Sequence, residues 1–287
     1  MGDESSKLFR PADEEQKKMA LPLCISTWLE TDRPAEERYA VIARSGFKGV
    51  SLWIHRELDC QVVGGEADAL VAKAREAGLN VPNIHAPYDN CKALWGEDNR
   101  ERLNQEMFYA RFIEFASRCR IPVVVVHVTE WENPQIKEAG LESVGRLVRH
   151  AEKFQVTLAI ENTDNNRVID YLFENIDSPH LGLCYDSSHD ALYGRPLGAV
   201  LSRWGDRLVA THFSDTHGEE DEHLLPGDGN VDFLAIASAF PFVSYQGPIQ
   251  LEVHPQADAD MDLEAFCAVA IRRARKLRAL ITGESMV

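Results

Sequence analysis

The segment from residue 211 to residue 230, THFSDTHGEEDEHLLPGDGN, combines three histidines and six carboxylates and contains no lysine or arginine. So many acids in one place repel one another unless a cation offsets their charge. Neutral imidazoles among carboxylates are the usual ligands of Zn²⁺ and Mn²⁺. The segment is therefore either a solvated acidic loop or part of a metal site, and residues elsewhere in the chain must decide which.

Side chains of the same types stand at or near the ends of short apolar segments rich in β-branched residues. Six such segments carry one each, namely His85, His127, Glu161, Asp186, His212 and Glu252. Three more follow closely, namely His189, Asp221 and His223. A single histidine at such a position is more often structural than a ligand. Their recurrence predicts a metal centre, because burying several carboxylates together without a cation costs many kcal/mol or forces protonation.

Eight apolar segments predict the β-strands that must position these residues: 21–26, 49–54, 80–85, 122–128, 157–162, 181–186, 208–214 and 248–254. The amphipathic stretches between them predict helices at 34–46, 66–78, 99–119, 133–154, 168–175, 196–204, 231–240 and 261–281. Gly46 and Gly78 are placed as helix C-terminal glycines, and Pro34 as a first-turn proline. Strands that alternate with helices of this length pair in parallel through right-handed crossovers.

Eight such units predict a single (β/α)8 TIM barrel of the α/β class over residues 20–287. A doubly wound sheet would carry a glycine-rich turn after its first strand, and residues 24–32, CISTWLETD, contain no glycine. In a barrel the C-terminal ends of the strands form the active-site face. Residues 1–19 are charged and are predicted to be a disordered tail.

The chain has 287 residues, with 30 basic and 46 acidic side chains and a net charge of −16. Nucleic acid is a poor partner for such a chain, since phosphate binding needs clustered basic residues, so we expect a small-molecule substrate. Six scattered cysteines without a CxxC pair predict reduced thiols. An apolar segment approaching the roughly 20 residues of a membrane span is absent from the sequence, as is a signal-peptide core. We therefore expect a cytoplasmic protein, and the sequence is compatible with a homo-oligomer.

Seven motifs, in this order, resemble the xylose isomerase-like TIM barrel superfamily: IHAPY (84–88), VVHV (125–128), AIENT (159–163), CYDSSH (184–189), THFSD (211–215), DEHLLPGDGNVDF (221–233) and LEVH (251–254). That group contains sugar isomerases and epimerases, inosose-pathway enzymes and the endonuclease IV-type nucleases of AP endonuclease family 2. The resemblance covers about residues 21–280. The set of motifs is specific to the superfamily, whereas each motif alone is weak.

The resemblance implies a ligand set for one divalent ion, Mn²⁺ or Zn²⁺, formed by Glu161, Asp186, His212 and Glu252. The nuclease branch implies further ligands for a second or third ion at His85, His127, His189, Asp221 and His223. Two features depart from the nuclease pattern. Glu222 stands between Asp221 and His223, where the nucleases have a basic residue, and the net charge is strongly negative.

The first functional hypothesis is a sugar, polyol or keto-sugar isomerase or epimerase that transfers protons through an enediolate. Glu161 and Glu252 would act on opposite faces of the reacting carbon, and His189 would orient a substrate hydroxyl. Further substrate contacts are expected at Trp28, Trp53, Tyr88 and Asp215.

The alternative hypothesis is a zinc-dependent phosphoesterase that resembles endonuclease IV and uses all nine ligand positions. A third reading is a catalytically silent barrel that binds a metabolite or a partner, since fold does not imply function. His55 and His254 are expected to be supporting residues, and Arg56 and Arg167 are the arginines expected near the mouth.

Overall fold

The computed structural model describes residues 21–29, 33–53, 65–129, 135–194, 196–241, 244–255 and 261–284. The predicted tail, His55 and Arg56 lie outside these residues. The strands are β1 (Leu23–Ser26), β2 (Gly49–Trp53), β3 (Asn83–His85), β4 (Val123–Val126), β5 (Thr157–Glu161), β6 (Leu181–Asp186), β7 (Leu208–His212) and β8 (Ile249–Leu251). Each lies within one of the eight predicted segments.

The helices alternate with the strands and cover the outside of the sheet. They are α1 (Ala35–Ser45), α2 (Glu66–Glu76), α3 (Asn99–Arg118), α4 (Glu138–Phe154), α5 (Asn166–Asn175), α6 (Ser187–Tyr193), α7 (Ala199–Trp204), α8 (Phe233–Ala239) and α9 (Leu263–Thr282). Short 3-10 turns span Cys91–Trp95 and Gly205–Arg207. Helix α6 was not predicted. It begins directly after β6 because Asp186 caps it, accepting a hydrogen bond from the His189 amide.

The strands form one parallel sheet in the order β7-β6-β5-β4-β3-β2-β1-β8. Strands β8 and β1 pair over three residues, whereas β7 and β8 meet through a bridge between Phe213 and Leu251. There the Phe213 amide donates to the Gln250 carbonyl at 2.8 Å, and the Glu252 amide donates to the Phe213 carbonyl at 3.1 Å. This junction closes the ring, so the chain forms the predicted (β/α)8 barrel.

Two separate regions of buried side chains follow from the two faces of the strands. A large apolar core lies between the sheet and the helices. A smaller cluster fills part of the barrel interior and consists of Val123, Val125, Ala159, Cys184 and Ala210. The other part of the interior is polar. There the Ser51 hydroxyl donates to Asn83 Oδ1 at 2.5 Å, and Asn83 Nδ2 donates to Gln250 Oε1 at 2.8 Å.

Local signals explain several element boundaries. Gly46 ends α1 with φ +109, the left-handed conformation that a C-terminal glycine adopts. Asp98 caps α3 by accepting hydrogen bonds from the amides of Arg100 and Glu101. The five cysteines among the described residues are free and buried. None of the helices in the described ranges is long and apolar enough to cross a membrane.

Candidate metal and active site

The ligand residues predicted on strands gather at one end of the barrel interior because side chains on a strand alternate with a period of two. Two positions beyond the small apolar residues Val125, Ala159, Cys184 and Ala210 stand His127, Glu161, Asp186 and His212. Two positions beyond Asn83 and Gln250 stand His85 and Glu252. All six are buried, so one layer of titratable groups lies directly above the interior core.

Glu161 lies at the centre of this layer. Its Oε2 atom is 3.0 Å from His85 Nε2 and 3.2 Å from His127 Nε2. Its Oε1 atom is 3.0 Å from His212 Nδ1, which is also 3.1 Å from Glu252 Oε2. One carboxylate therefore contacts three imidazoles, and His212 joins it to the second glutamate.

Glu161, Asp186, His212 and Glu252 also satisfy the geometry of a single cation site. One ligand atom from each residue lies within 4.8 Å of every other. Asp186 Oδ2 is buried without a hydrogen-bond partner, although Oδ1 accepts from the His189 amide. A buried, unpartnered carboxylate oxygen beside two further carboxylates fits a divalent cation.

The pKa values in this cluster reflect burial opposed by neighbouring charges. Burial raises the pKa of Asp186 to about 7, and repulsion from other carboxylates adds to the effect. Burial also disfavours the charged form of Glu161, but His212 and His127 outweigh it and hold the Glu161 pKa well below its usual range. For His212, burial favours the neutral form, whereas the surrounding acidic groups raise its pKa well above the usual value.

A second cluster involves the acidic loop. Asp221 Oδ2 lies 3.0 Å from His189 Nε2 and 3.1 Å from His223 Nε2, and Asp221 Oδ1 accepts from the Ser188 hydroxyl at 2.5 Å. His223 Nδ1 is 3.2 Å from the Glu252 carbonyl, which fixes the loop to the strand β8 side of the barrel. The structure thus brings together all nine positions predicted as ligands.

A cavity of about 490 Å³, counted with the open space at its mouth, leads down to Glu161 and Glu252. Trp28 and Trp53 line it and stack on each other with ring centroids 5.1 Å apart. Tyr88 lines the same side and stacks on His127 at 4.9 Å. The three aromatic residues predicted as substrate contacts are therefore all placed in the cavity wall.

Asp215, the fourth predicted substrate contact, does not line this cavity. Its side chain is buried, and Oδ1 accepts hydrogen bonds from the amides of Thr216 and Val231, both at 2.9 Å, while Oδ2 accepts from Gly227 at 2.7 Å. A Cβ atom on Gly229 would lie 2.5 Å from Asp215 Oδ1, so only glycine fits there. Asp215 thus organises the segment PGDGN around its carboxylate.

Four polar residues of the cavity wall were not singled out from the sequence: Thr129, Thr163, Asp164 and Tyr193. They lie in loops or in the unpredicted helix α6, beyond the strand ends at which the apolar pattern predicts site residues. Of the other residues considered, Arg167 is exposed and does not line the cavity, and His254 packs against Trp28 with ring centroids 4.8 Å apart.

In the remainder of the acidic loop, His217 offsets part of the negative charge by pairing with Glu222. His217 Nδ1 lies 2.8 Å from Glu222 Oε1, and the His217 amide donates to Glu222 Oε2 at 2.6 Å. Hydrogen bonding to Glu222 raises the pKa of His217, which is exposed. This pair faces solvent, away from the buried ligands.

The chain is similar to one protein family and to several individual proteins. The family model described as xylose isomerase-like TIM barrel matches residues 39–269. An uncharacterised protein of Sinorhizobium fredii is 34% identical over 155 residues, which are 49% of this chain and 50% of that protein. An uncharacterised protein of Methanocaldococcus jannaschii is 29% identical over 185 residues, 59% of this chain and 63% of that protein. This chain thus spans between half and two thirds of the length of these relatives.

Relatives with named activities are more distant. The L-ribulose-5-phosphate 3-epimerase of Salmonella paratyphi C is 24% identical over 200 residues, 64% of this chain and 68% of that enzyme. The structure of D-allulose 3-epimerase from Methylomonas sp. superimposes with a TM-score of 0.73 at 16% identity, covering 90% of this chain and 98% of that one. That of 3-keto-D-glucoside 4-epimerase from E. coli gives 0.71 at 18% identity, with 89% and 99% covered. At these identities the structural matches establish the fold alone.

Proposed function

Because the chain belongs to the xylose isomerase-like TIM barrel family, whose model matches residues 39–269, we propose that it is a divalent-metal-dependent isomerase or epimerase of a sugar, polyol or keto-sugar. Relatives and structural neighbours include epimerases of phosphorylated and unphosphorylated sugars, which supports the reaction class. The substrate is a small molecule, and nucleic acid is not the expected partner.

The observation that carries the proposal is the pairing of two glutamates beneath an aromatic cavity. Glu161 at the end of β5 and Glu252 just after β8 are both buried, both line the cavity, and both contact Nδ1 of His212. A reaction that removes a proton from carbon and returns one needs two such groups within reach of the substrate.

A divalent ion held by Glu161, Asp186, His212 and Glu252 would polarise the substrate carbonyl and make the neighbouring C–H more acidic. Glu161 and Glu252 then have opposite tasks, one accepting the proton from carbon and the other donating a proton. Both tasks are compatible with also touching the ion, because each carboxylate has two oxygens. His189 Nδ1 is 3.0 Å from the Asn162 carbonyl, which fixes the ring, and Nε2, on the Asp221 side, is the atom that would orient a substrate hydroxyl.

We propose one Mn²⁺ or Zn²⁺ ion in this four-ligand site as the functional minimum. Three carboxylates and one imidazole form a largely oxygen-based set, which suits Mn²⁺ at least as well as Zn²⁺. The buried carboxylates favour a cation, and the Asp186 Oδ2 atom, which has no hydrogen-bond partner, is available as one of the four ligand atoms.

Solvent isotope exchange tests the reaction class. A panel of ketoses and inososes incubated with the protein and Mn²⁺ in D₂O should incorporate deuterium, detected by mass spectrometry. Glu161→Gln and Glu252→Gln should abolish exchange, because an amide cannot take up the proton. Glu97→Gln, an exposed glutamate paired with Lys137, is the matched control and should exchange at the wild-type rate. Exchange that survives both active-site substitutions would contradict the assignment.

A metal-dependent phosphoesterase is the second candidate, and the additional histidines favour it. His85, His127 and Glu161 form a second compact ligand group, and beyond it Asp221 contacts both His189 and His223. Three zinc ions per chain, with incision of a duplex carrying an abasic site and no isotope exchange, would replace the isomerase proposal. One manganese ion per chain with exchange would support it.

The proposal also includes a cellular compartment and an oligomeric state. The five described cysteines are free, which supports a reducing compartment such as the cytoplasm. Homo-oligomerisation stays a prediction, to be measured by light scattering.

A further inference from the structure

The two walls of the cavity differ in chemistry and face each other across the barrel. Trp28 follows β1 and Trp53 ends β2, whereas Thr163 and Asp164 follow β5 and Tyr193 ends the helix after β6. In a closed ring of eight strands, β1 is opposite β5 and β2 is opposite β6. A substrate in the cavity therefore lies between an aromatic wall and a polar wall.

The polar wall is held together by hydroxyl groups. Thr129 Oγ1 and Thr163 Oγ1 share a hydrogen bond of 2.5 Å, and Thr163 Oγ1 also lies 3.4 Å from both Asp164 Oδ1 and the Thr129 carbonyl. Tyr193 lines the same part of the cavity, and burial together with the charges of Asp221 and Asp164 raises the pKa of its phenol. Hydroxyls and a carboxylate are the groups that bind substrate hydroxyls.

The charge of the cavity wall is negative. The acidic residues that line it are Glu161, Asp164, Asp221 and Glu252, and no lysine or arginine lines it among the described residues. Asp221 contacts two histidines, and a cation would offset the glutamates. Asp164 differs, because the polar group beside its Oδ1 atom is the neutral Thr163 hydroxyl, at 3.4 Å.

We propose that Asp164 determines substrate specificity. With Thr163 it binds a hydroxyl of an uncharged polyhydroxylated ring or chain, whose C–H face packs on Trp28 and Trp53. Asp164 also excludes the phosphorylated counterpart of that substrate. This inference rests on the proposed function. The aromatic face carries partial negative charge, which suits C–H groups and disfavours an anion. A phosphate dianion near Asp164 would add like-charge repulsion, which discriminates strongly between partners.

Calorimetric titration of the Mn²⁺-loaded protein tests the inference with matched pairs of probes. D-fructose, D-allulose and myo-inositol are each compared with their monophosphates. At least one free compound should bind, and at least tenfold more tightly than its phosphate. Asp164→Lys should reduce that ratio at least tenfold, and Asp164→Asn should reduce it less. Asp177→Lys makes the same charge change at an exposed residue before β6, at the opposite end of the barrel, and should leave the ratio unchanged.

Three results would overturn the inference: tighter binding of the phosphates by the wild-type protein, equal ratios for Asp164→Lys and Asp177→Lys, or no binding of any free compound at millimolar concentration. Failure of the proposed function is a different result. Free compounds would then bind in preference to their phosphates without exchanging hydrogen with D₂O.

Discussion

At the residue scale, Asp186 shows how one side chain serves the fold and the site together. Its Oδ1 atom accepts the His189 amide and caps helix α6, while its Oδ2 atom is buried without a hydrogen bond. An oxygen that is desolvated and unpaired costs stability in the absence of a cation. A cation bound at the proposed site would remove that cost.

Asp186→Asn should separate metal binding from stability. The amide keeps an oxygen to cap α6 but removes one of three clustered negative charges. We expect Mn²⁺ affinity to fall more than about 100-fold, beyond the effect of losing a residue that only supports a ligand. The metal-free protein should unfold at the same or a higher urea concentration, because the carboxylate repulsion is smaller. Calorimetric titration and urea denaturation measure the two effects.

The reverse pattern is expected for Asp215→Asn, a substitution of an equally buried aspartate outside the ligand set. The new amide cannot accept the Gly227 hydrogen bond, so stability should fall by about 2 kcal/mol while Mn²⁺ affinity changes less than a few-fold. Equal losses of Mn²⁺ affinity in the two variants would contradict the assigned ligand set.

At the element scale, the loop after β7 is shaped from within by one carboxylate. Asp215 binds amides at Thr216, Gly227 and Val231 and so draws a sixteen-residue span into a compact turn. The same span carries Asp221 and His223. The acidic residues of the loop thus fall into three groups: those that fold it, those that face the cavity, and those that face solvent.

Asp215→Ala should destabilise the protein by about 3 kcal/mol or more, because three amides lose their hydrogen bonds to one buried carboxylate. Asp232→Ala is the control: this exposed aspartate caps α8 through the amides of Leu234 and Ala235, and its loss should cost about 1 kcal/mol. Urea unfolding gives both values. A loss for Asp215→Ala no larger than for Asp232→Ala would mean that the loop does not depend on the buried carboxylate.

The sequence predicts the residues at strand ends, but not the contacts that form within a folded loop or across the closed barrel. Strand ends could be predicted because the apolar pattern and the barrel rule are local, so Glu161 and Asp186 were found at the ends of β5 and β6. The role of Asp215 could not, because its partners stand up to sixteen positions away and are brought near only by the folded turn. Asp164 and Tyr193 were missed for a similar reason, since a wall opposite Trp28 exists only once the ring has closed.

At the scale of the whole molecule, the cation site should act as a stabilising ligand site. With Mn²⁺ at about 100 times its dissociation constant, the free energy of unfolding should rise by about 2.7 kcal/mol. For a chain of this size the melting temperature should rise by roughly 4–5 °C. Differential scanning calorimetry with EDTA or Mn²⁺ measures the shift, which should vanish in Glu161→Gln. Equal melting temperatures under both conditions would contradict a site in the barrel interior.

The stabilisation by a bound cation should be largest at the junction between β7 and β8. Those strands meet through a single bridge in the described part of the chain, whereas β1 and β8 pair over three residues. His212 and Glu252 stand on either side of that junction. A cation that binds both would link β7 to β8 at this short junction. Mn²⁺ should therefore slow deuterium uptake most at the Phe213 and Glu252 amides. An ion bound at the proposed site would then also oppose opening of the barrel.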